Sequence, residues 1–253
     1  MDRTRTYEEV ATNGQRGVEH CSRPPDADAE FDRLVEETYA ALLEHARTFL
    51  RDILDALELR AVDIVANSIG GLWSVSFALV APDRVSRLAL VGAPPGVSRE
   101  APIQLWLFGL PLVGRWLGRL LLSNPARDSS RRFWGQILVA HPERLDDTLL
   151  DADVAHMRRN RGSVIGLMWC IVGVGGLRRH LLLGERWQAL KVPTVFLWGE
   201  RDAFMTLKVL EAWEEIAALN SNISIARVPD AGHLPWMDGP ERVVIEIEGF
   251  MAS

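Results

Sequence analysis

Hydrophobic and polar residues alternate in blocks along the chain, and the blocks have two periods. Residues 25–60 are charged but place apolar side chains at helical spacing, which predicts one long amphipathic helix. Short apolar runs of the kind found in buried strands follow at Val62–Ala66, Leu88–Val91, Thr194–Trp198 and Ile223–Val228. Helical patterns over residues 68–79, 207–218 and 240–251 separate these runs, so strands and helices alternate. This order predicts an α/β fold with a mainly parallel sheet.

Residues 97–188 interrupt the alternation. Helical periodicity dominates there, and tryptophan and arginine are frequent. We therefore expect a helical cap over 97–188, set between a first part of the core at 1–96 and a second part at 189–253. Two apolar stretches in this region, Ile103–Leu122 and Val164–Leu177, resemble membrane spans at first sight. The first contains two arginines and the second falls short of the roughly 20 residues that a span needs, so both are interpreted as covering helices.

Composition narrows the functional classes. The 253 residues carry a formal net charge of −6, which argues against nucleic acid as a partner because no broad basic face can form. The two cysteines, Cys21 and Cys170, have no metal-ligand spacing and fit a reducing compartment. We expect a cytoplasmic protein without a membrane span, metal or organic cofactor. The sequence does not indicate an oligomeric state.

Three polar residues follow three of the predicted strands. Ser68 lies after the first strand, Asp202 after the third and His233 after the fourth. The carboxyl ends of parallel strands share one edge, where open α/β sheets bind their ligands. A serine nucleophile needs a base, and the base needs a carboxylate that fixes its tautomer. Small residues at Ala66 and Gly70 suit the sharp turn that would present Ser68, because larger side chains would collide across it.

Each of these residues also has a purely structural interpretation. Ser68 would then be an N-cap serine at the start of a helix, and Asp202 would cap the helix after it. Asp230 is a rival acid close to the histidine. His233 would then be a surface histidine, as His45, His141, His156 and His180 are expected to be.

Four segments together resemble the α/β-hydrolase family. They are "ANSIGG" at 66–71, "LVGAPPG" at 90–96, "LWGERDAF" at 197–204 and "PDAGHLPW" at 229–236. The resemblance implies a nucleophile at Ser68, an acid at Asp202 and a general base at His233. It also implies an oxyanion donor at the Ile69 backbone N–H, a two-step acyl transfer, and a pocket shaped by the cap.

The chain departs from the family before Ser68. No His-Gly pair precedes the serine, although family members carry one in a loop that gives the second oxyanion donor. Residues 7–25 weakly resemble the strand and loop that follow that point in the family. The N-terminal strands of the family fold are therefore expected to be missing. Either the chain is a truncated product or has a misplaced start, or it is a weakened homologue that uses another donor.

The substrate is expected to be a small apolar molecule. Asn67, before the serine, is similar to the residue that C–C hydrolases of ring-cleavage pathways carry, while ester hydrolysis is the broader expectation. Trp236 is expected beside the pocket, and Asn67, Trp134 and Trp169 are expected to bind substrate. Further aromatic candidates for the pocket walls are Trp106, Phe108 and Trp116. The alternatives to an esterase are a C–C hydrolase and a hydrolase-fold protein that only binds a ligand.

Overall fold

The computed structural model describes residues 26–92, 96–106, 109, 110, 114, 116, 120 and 125–252. The weak strand expected at 7–11 lies outside these residues, as does Phe108. The first unit, Met1–Leu34, is represented by the start of helix α1 at residues 26–34. The second unit, Val35–Ser253, is compact and contains the strands and the candidate site described below.

The predicted alternation of strands and helices is confirmed. The strands are β1 Val62–Asn67, β2 Val85–Val91, β3 Val172–Gly173, β4 Gly176–Leu177, β5 Thr194–Gly199 and β6 Ile223–Val228. The helices are α1 Asp26–Ala56, α2 Ser68–Val80, α3 Ile103–Trp106, α4 Arg127–Ile137, α5 Asp147–Ile171, α6 Leu207–Leu219, α7 Pro235–Asp238 and α8 Pro240–Met251. Short 3₁₀ helices connect them at Pro82–Arg84, Pro142–Arg144, Arg179–Leu181 and Gly184–Ala189.

Within the described residues, one parallel sheet has the strand order β1-β2-β5-β6. The central strands β2 and β5 are buried over most of their length, as their continuous apolar runs predict. Because all four strands run in the same direction, their carboxyl ends bring Asn67, Val91, Gly199 and Val228 to one edge.

Large side chains fill the space beside the sheet. Phe196 of β5 lies against Trp213 of α6, with ring centroids 4.4 Å apart, and Trp187 meets the same Trp213 ring edge-on at 4.7 Å. All three are almost completely buried. Such close-packed aromatic contacts hold α6 to the sheet, and so help to fix the loop at the end of β5.

The segment between β2 and β5 is largely helical, and its role as a cap stays a prediction. The expected helix at Val164–Leu177 is wrong in its last part, because α5 ends at Ile171 and an antiparallel β3–β4 hairpin follows. Gly176 explains the change: its φ is +122°, and a Cβ atom there would lie 2.0 Å from the Arg99 carbonyl oxygen. Among the helices that the structure describes, none is long and apolar enough to cross a membrane.

Candidate active site

Ser68 stands at the junction of β1 and α2 in a backbone conformation that serine rarely adopts. Its φ is +48°, in the left-handed region that costs a residue with a Cβ about 1 kcal/mol or more. The helix N-cap is Asn67 rather than Ser68, so the capping interpretation of the serine is not supported. The Ser68 Oγ instead lies 3.0 Å from His233 Nε2. The turn therefore holds the hydroxyl out towards the histidine.

The expectation that a side chain at position 70 would collide across the turn is wrong. A Cβ atom built on Gly70 would have no heavy atom within 4 Å outside its own helix and neighbours. The strained backbone of the turn is at Ser68 itself, and a Cβ atom at position 70 causes no collision.

His233 and Asp202 form the buried part of the site. The two oxygens of the Asp202 carboxylate lie 3.2 and 3.0 Å from His233 Nδ1. The Asp202 Oδ1 also accepts a hydrogen bond of 2.8 Å from the Phe204 backbone N–H, and α6 takes its N-cap from Thr206. Asp202 therefore orients the histidine rather than capping α6. Ser68, His233 and Asp202 are called the trio below.

Two glycines at strand ends allow the loop that carries His233 to pass close to the sheet. A Cβ atom on Gly92, after β2, would lie 2.2 Å from the His233 carbonyl oxygen. A Cβ atom on Gly199, the last residue of β5, would lie 2.2 Å from the carbonyl oxygens of both Ala231 and Gly232. Side chains of any size at these positions would push the loop outwards, so glycine is needed for the trio to meet.

Asp238 fixes the same loop from the other side. One carboxylate oxygen accepts from the Gly232 N–H at 2.8 Å and the Ala140 N–H at 2.9 Å, and the other accepts from the His141 N–H at 3.0 Å. A backbone bond of 2.8 Å from the Leu234 N–H to the Leu138 carbonyl runs alongside. The carboxylate thus joins the turn before His233 to the segment that connects α4 and α5.

Asp230 is not the acid of the trio. Its carboxylate lies 2.8 Å from His141 Nε2 and 2.8 Å from an Arg201 guanidinium nitrogen. The hydrogen bond from Arg201, followed by that from His141, lowers the Asp230 pKa below its usual value. The hydrogen bond to Asp230 in turn raises the His141 pKa. His141 is therefore a half-buried hydrogen-bond partner of Asp230, and the expectation that it is a plain surface histidine is wrong.

Of the remaining histidines, the structure describes His45, His156 and His180. His45 and His156 are exposed, as expected. His180 is half-buried, with its Nε2 2.9 Å from the Cys170 carbonyl oxygen and its ring centroid 4.5 Å from that of Tyr39, so it too departs from the surface expectation.

A cavity of about 620 Å³ opens beside the trio and is mainly apolar. Ser68, Ile69 and His233 form one part of its wall. The helices α4 and α5 form much of the rest through apolar side chains that include Phe133, Ile137, Met157, Val164, Ile165, Leu167, Met168 and Ile171. The cavity is large enough for a drug-sized molecule, and its composition is that of a small-molecule site.

The substrate-binding residues expected from the sequence do not line this cavity. The Asn67 amide donates a 2.6 Å hydrogen bond to the Val91 carbonyl, so it ties β1 to β2. Trp236 packs on the buried group around Val91 and Val228. Trp134 packs beside Leu150 and its indole N–H points at Asp153, while Trp169 is half-buried near the end of α5. Tryptophan was a poor guide because its large surface is as useful in helix packing as in a pocket.

Sequence reasoning missed most residues that do line the cavity. Phe204, two residues after Asp202, lies with its ring centroid 4.4 Å from that of His233. Met157 and Met168 lie along α5, where the helix is kinked at Asn160. The apolar positions of α5 were a visible signal, but periodicity alone does not say whether an apolar face covers a core or lines a cavity. Among the residues that the structure describes, no group of His, Cys, Asp or Glu is arranged to hold a metal ion.

The parallel sheet and the trio at its carboxyl edge together define a hydrolase-type α/β protein. A family model described as the alpha/beta hydrolase fold matches residues 15–240. The chain belongs to the α/β-hydrolase family.

The proteins that this chain resembles include hydrolases named for dienoate or dienedioate substrates, and a carboxylesterase. The chain is 29% identical over 160 residues to a 2-hydroxy-6-oxononadienedioate/2-hydroxy-6-oxononatrienedioate hydrolase of Paraburkholderia xenovorans, covering 63% of this chain and 52% of the relative. The chain thus spans about half the length of this relative.

Solved structures of similar fold include a 2-hydroxy-6-oxo-6-phenylhexa-2,4-dienoate hydrolase of Rhodococcus sp. strain RHA1, with a TM-score of 0.60, 14% identity and coverage of 79% and 67% of the two chains. A carboxylesterase of Bacillus subtilis has a TM-score of 0.55, 19% identity and coverage of 83% and 66%. At these identities the likeness shows the fold alone.

Proposed function

We propose that this chain hydrolyses an ester, or a similar carbonyl compound, of a small and mainly apolar molecule, with Ser68 as the nucleophile. The observation that carries the proposal is the trio: Ser68 Oγ and Asp202 Oδ2 each lie 3.0 Å from a different nitrogen of the same imidazole. A binding protein has no need of this chain of hydrogen bonds, whereas acyl transfer depends on it. The mainly apolar cavity beside Ser68 supports an acyl or alcohol portion that is largely hydrocarbon.

The proposed reaction has two balanced halves. His233 Nε2 takes the proton from Ser68 Oγ while the oxygen attacks the substrate carbonyl, and a tetrahedral oxyanion forms. His233 then gives that proton to the departing alkoxide, which leaves as the alcohol, and the acyl group remains on Ser68. In the second half, a water molecule attacks the acyl group while His233 takes a proton from it. The carboxylic acid then leaves, and His233 gives the proton to the serine oxygen.

Asp202 and Ile69 have supporting roles in this proposal. The Asp202 carboxylate accepts the Nδ1–H of His233, so Nε2 stays the proton acceptor, and the carboxylate then stabilises the imidazolium. Ile69 follows Ser68 in the first turn of α2, where backbone N–H groups have no partner within the helix. Its N–H is the proposed donor to the oxyanion, helped by the helix dipole.

A second candidate is hydrolysis of a carbon–carbon bond, which the dienedioate hydrolase relative favours. That relative is named for a substrate with two carboxylates. Among the described residues of the cavity wall, the charged ones are Glu100, Asp153 and Arg132, so carboxylates outnumber cations in that part of the wall. Such a wall repels a dianion more than a neutral ester, and this ranks ester hydrolysis first.

The test is a comparison of wild type with Ser68→Ala on p-nitrophenyl acetate, butyrate and octanoate, and on a 2-hydroxy-6-oxononadienedioate. We expect the esters to be cleaved by wild type and not by Ser68→Ala. Ser74→Ala is the control, because it removes a hydroxyl from the same helix that donates only to the Gly70 carbonyl. Cleavage of the dioate with no ester cleavage would select the second candidate. No cleavage of either by folded wild type would leave a binding protein.

A further inference from the structure

In one carboxylate of the cavity wall, that of Asp153, only one of the two oxygens accepts hydrogen bonds from described residues. Asp153 lies on α5 and is half-buried. Its Oδ2 accepts from the Ser130 hydroxyl at 2.5 Å and from the Trp134 indole N–H at 3.3 Å. Both donors come from α4, so this oxygen joins the two helices. No hydrogen bond or ion pair to Oδ1 occurs among the residues that the structure describes.

An open carboxylate oxygen in a mainly apolar cavity has a chemical consequence. Asp153 is half-buried, so water can hydrogen-bond to Oδ1 while the cavity holds no ligand. A ligand that displaces this water loses affinity unless it supplies a hydrogen-bond donor in its place, and a charged donor does so most strongly. An apolar group at the same place would leave the oxygen without a donor, and a second carboxylate would add repulsion.

We propose that Asp153 is a specificity-determining residue that selects ligands whose free end carries a hydrogen-bond donor, with an ammonium group preferred and a hydroxyl group next. The substrate would then be an ester of a small apolar chain with an amine or alcohol at the end lying between α4 and α5. The statement about substrates rests on the proposed function, whereas the statement about binding does not.

The other two charged groups among the described residues of the wall do not take this role. The Glu100 carboxylate is engaged by the Thr206 hydroxyl and lies 3.6 Å from the Lys208 ammonium nitrogen. Arg132 makes no ion pair within the described part of the chain, but it is exposed and solvent screens its charge. Arg132 is the natural rival, since it would favour a carboxylate where Asp153 favours a donor.

Asp153→Asn separates the proposed role from the helix-joining role. The remaining amide oxygen still accepts from Ser130 and Trp134, so the join between α4 and α5 is kept. The other side-chain group changes from a charged acceptor to a neutral donor. Asp128→Asn is the matched control, because Asp128 is an exposed aspartate in the first turn of α4 and does not line the cavity.

The experiment measures dissociation constants by titration calorimetry for octylammonium, octanol and octanoate. The three have the same chain and differ at one end, and binding needs no turnover. We expect wild type to bind octylammonium about 10-fold or more tightly than octanoate, with octanol between them. Asp153→Asn should remove this preference, while Asp128→Asn should leave it unchanged.

Two results would overturn the proposal. In the first, wild type binds octanoate best and Arg132→Gln abolishes that preference, so the arginine selects the ligand. In the second, the preference for octylammonium is the same in Asp153→Asn as in wild type, so Asp153 only joins the helices. Failure of ester cleavage with the predicted binding order intact would count against the proposed function and leave the role of Asp153 standing.

Discussion

Gly92→Ala is the substitution that most directly probes how the sheet positions the histidine. Gly92 follows β2 with a φ of +75°, and a Cβ atom added there would lie 2.2 Å from the His233 carbonyl oxygen and 2.9 Å from the Asn67 amide nitrogen. Real Cβ atoms essentially never approach another heavy atom to within 3.0 Å. The added methyl group therefore requires movement of the loop that carries His233.

The expected effects follow from these contacts. The left-handed φ costs alanine about 1–2 kcal/mol, and overpacking adds about 1–3 kcal/mol, so the free energy of unfolding should fall by roughly 2–5 kcal/mol. Relief of the contact needs a shift of the His233 backbone of about 1 Å. A displacement of that size in a catalytic group lowers turnover by about 100-fold.

Urea unfolding and p-nitrophenyl butyrate turnover measure the two effects separately. Gly249→Ala is the control, because a Cβ atom there, inside α8, meets nothing within 4 Å. Alanine at this helix position should stabilise the protein by about 1 kcal/mol or less and leave turnover unchanged. If Gly92→Ala matched wild type in both stability and turnover, the close approach of the loop to β2 would be refuted.

Three further predictions concern side chains around the trio. Asp202→Asn should lower kcat by about 10⁴-fold, because the carboxylate that holds the proton of His233 on Nδ1 is lost. Asp230→Asn should keep kcat close to that of wild type, and equal losses in the two variants would contradict the assignment of the acid. Asp238→Ala should lower the free energy of unfolding by about 2–4 kcal/mol, because three backbone N–H groups lose their acceptor. Urea titration measures this change, and an unchanged midpoint would show that the carboxylate is not needed. The His141 pKa is higher in the folded protein than in the unfolded chain, so protonation of His141 stabilises the folded state. This stabilisation is complete below the unfolded pKa of about 6.5 and is lost as the pH rises through the folded pKa. His141→Gln should therefore lower the urea midpoint more at about pH 6 than at about pH 9, and a pH-independent difference would contradict this.

The alternation of strands and helices was predictable because both periods are local. A buried parallel strand such as β5 is apolar throughout, and α1 places apolar residues at helical spacing, so neither needs information from distant residues. The end of α5 was not predictable in this way. The run from Val164 to Leu177 is apolar in either structure, and its division into helix and hairpin depends on the contact of Gly176 with Arg99.

The site was only partly predictable for a related reason. Ser68, Asp202 and His233 could be predicted to meet because each lies within a few residues of the carboxyl end of a strand, and parallel strands end at one edge. The cavity wall depends on which faces of α4 and α5 meet, and this is decided by contacts such as that of Ser130 with Asp153. No local pattern distinguishes Trp134, which packs between helices, from Phe133, which lines the cavity.

Labelling by a fluorophosphonate probe tests the central claim most directly, because the probe reacts only with an activated serine. Intact-mass and peptide measurements on wild type should find one adduct, located on Ser68. The adduct should be absent in Ser68→Ala and form much more slowly in His233→Gln, with circular dichroism confirming that each variant is folded. Folded wild type that takes no label, or takes it on another serine, would contradict the account of Ser68 as the nucleophile.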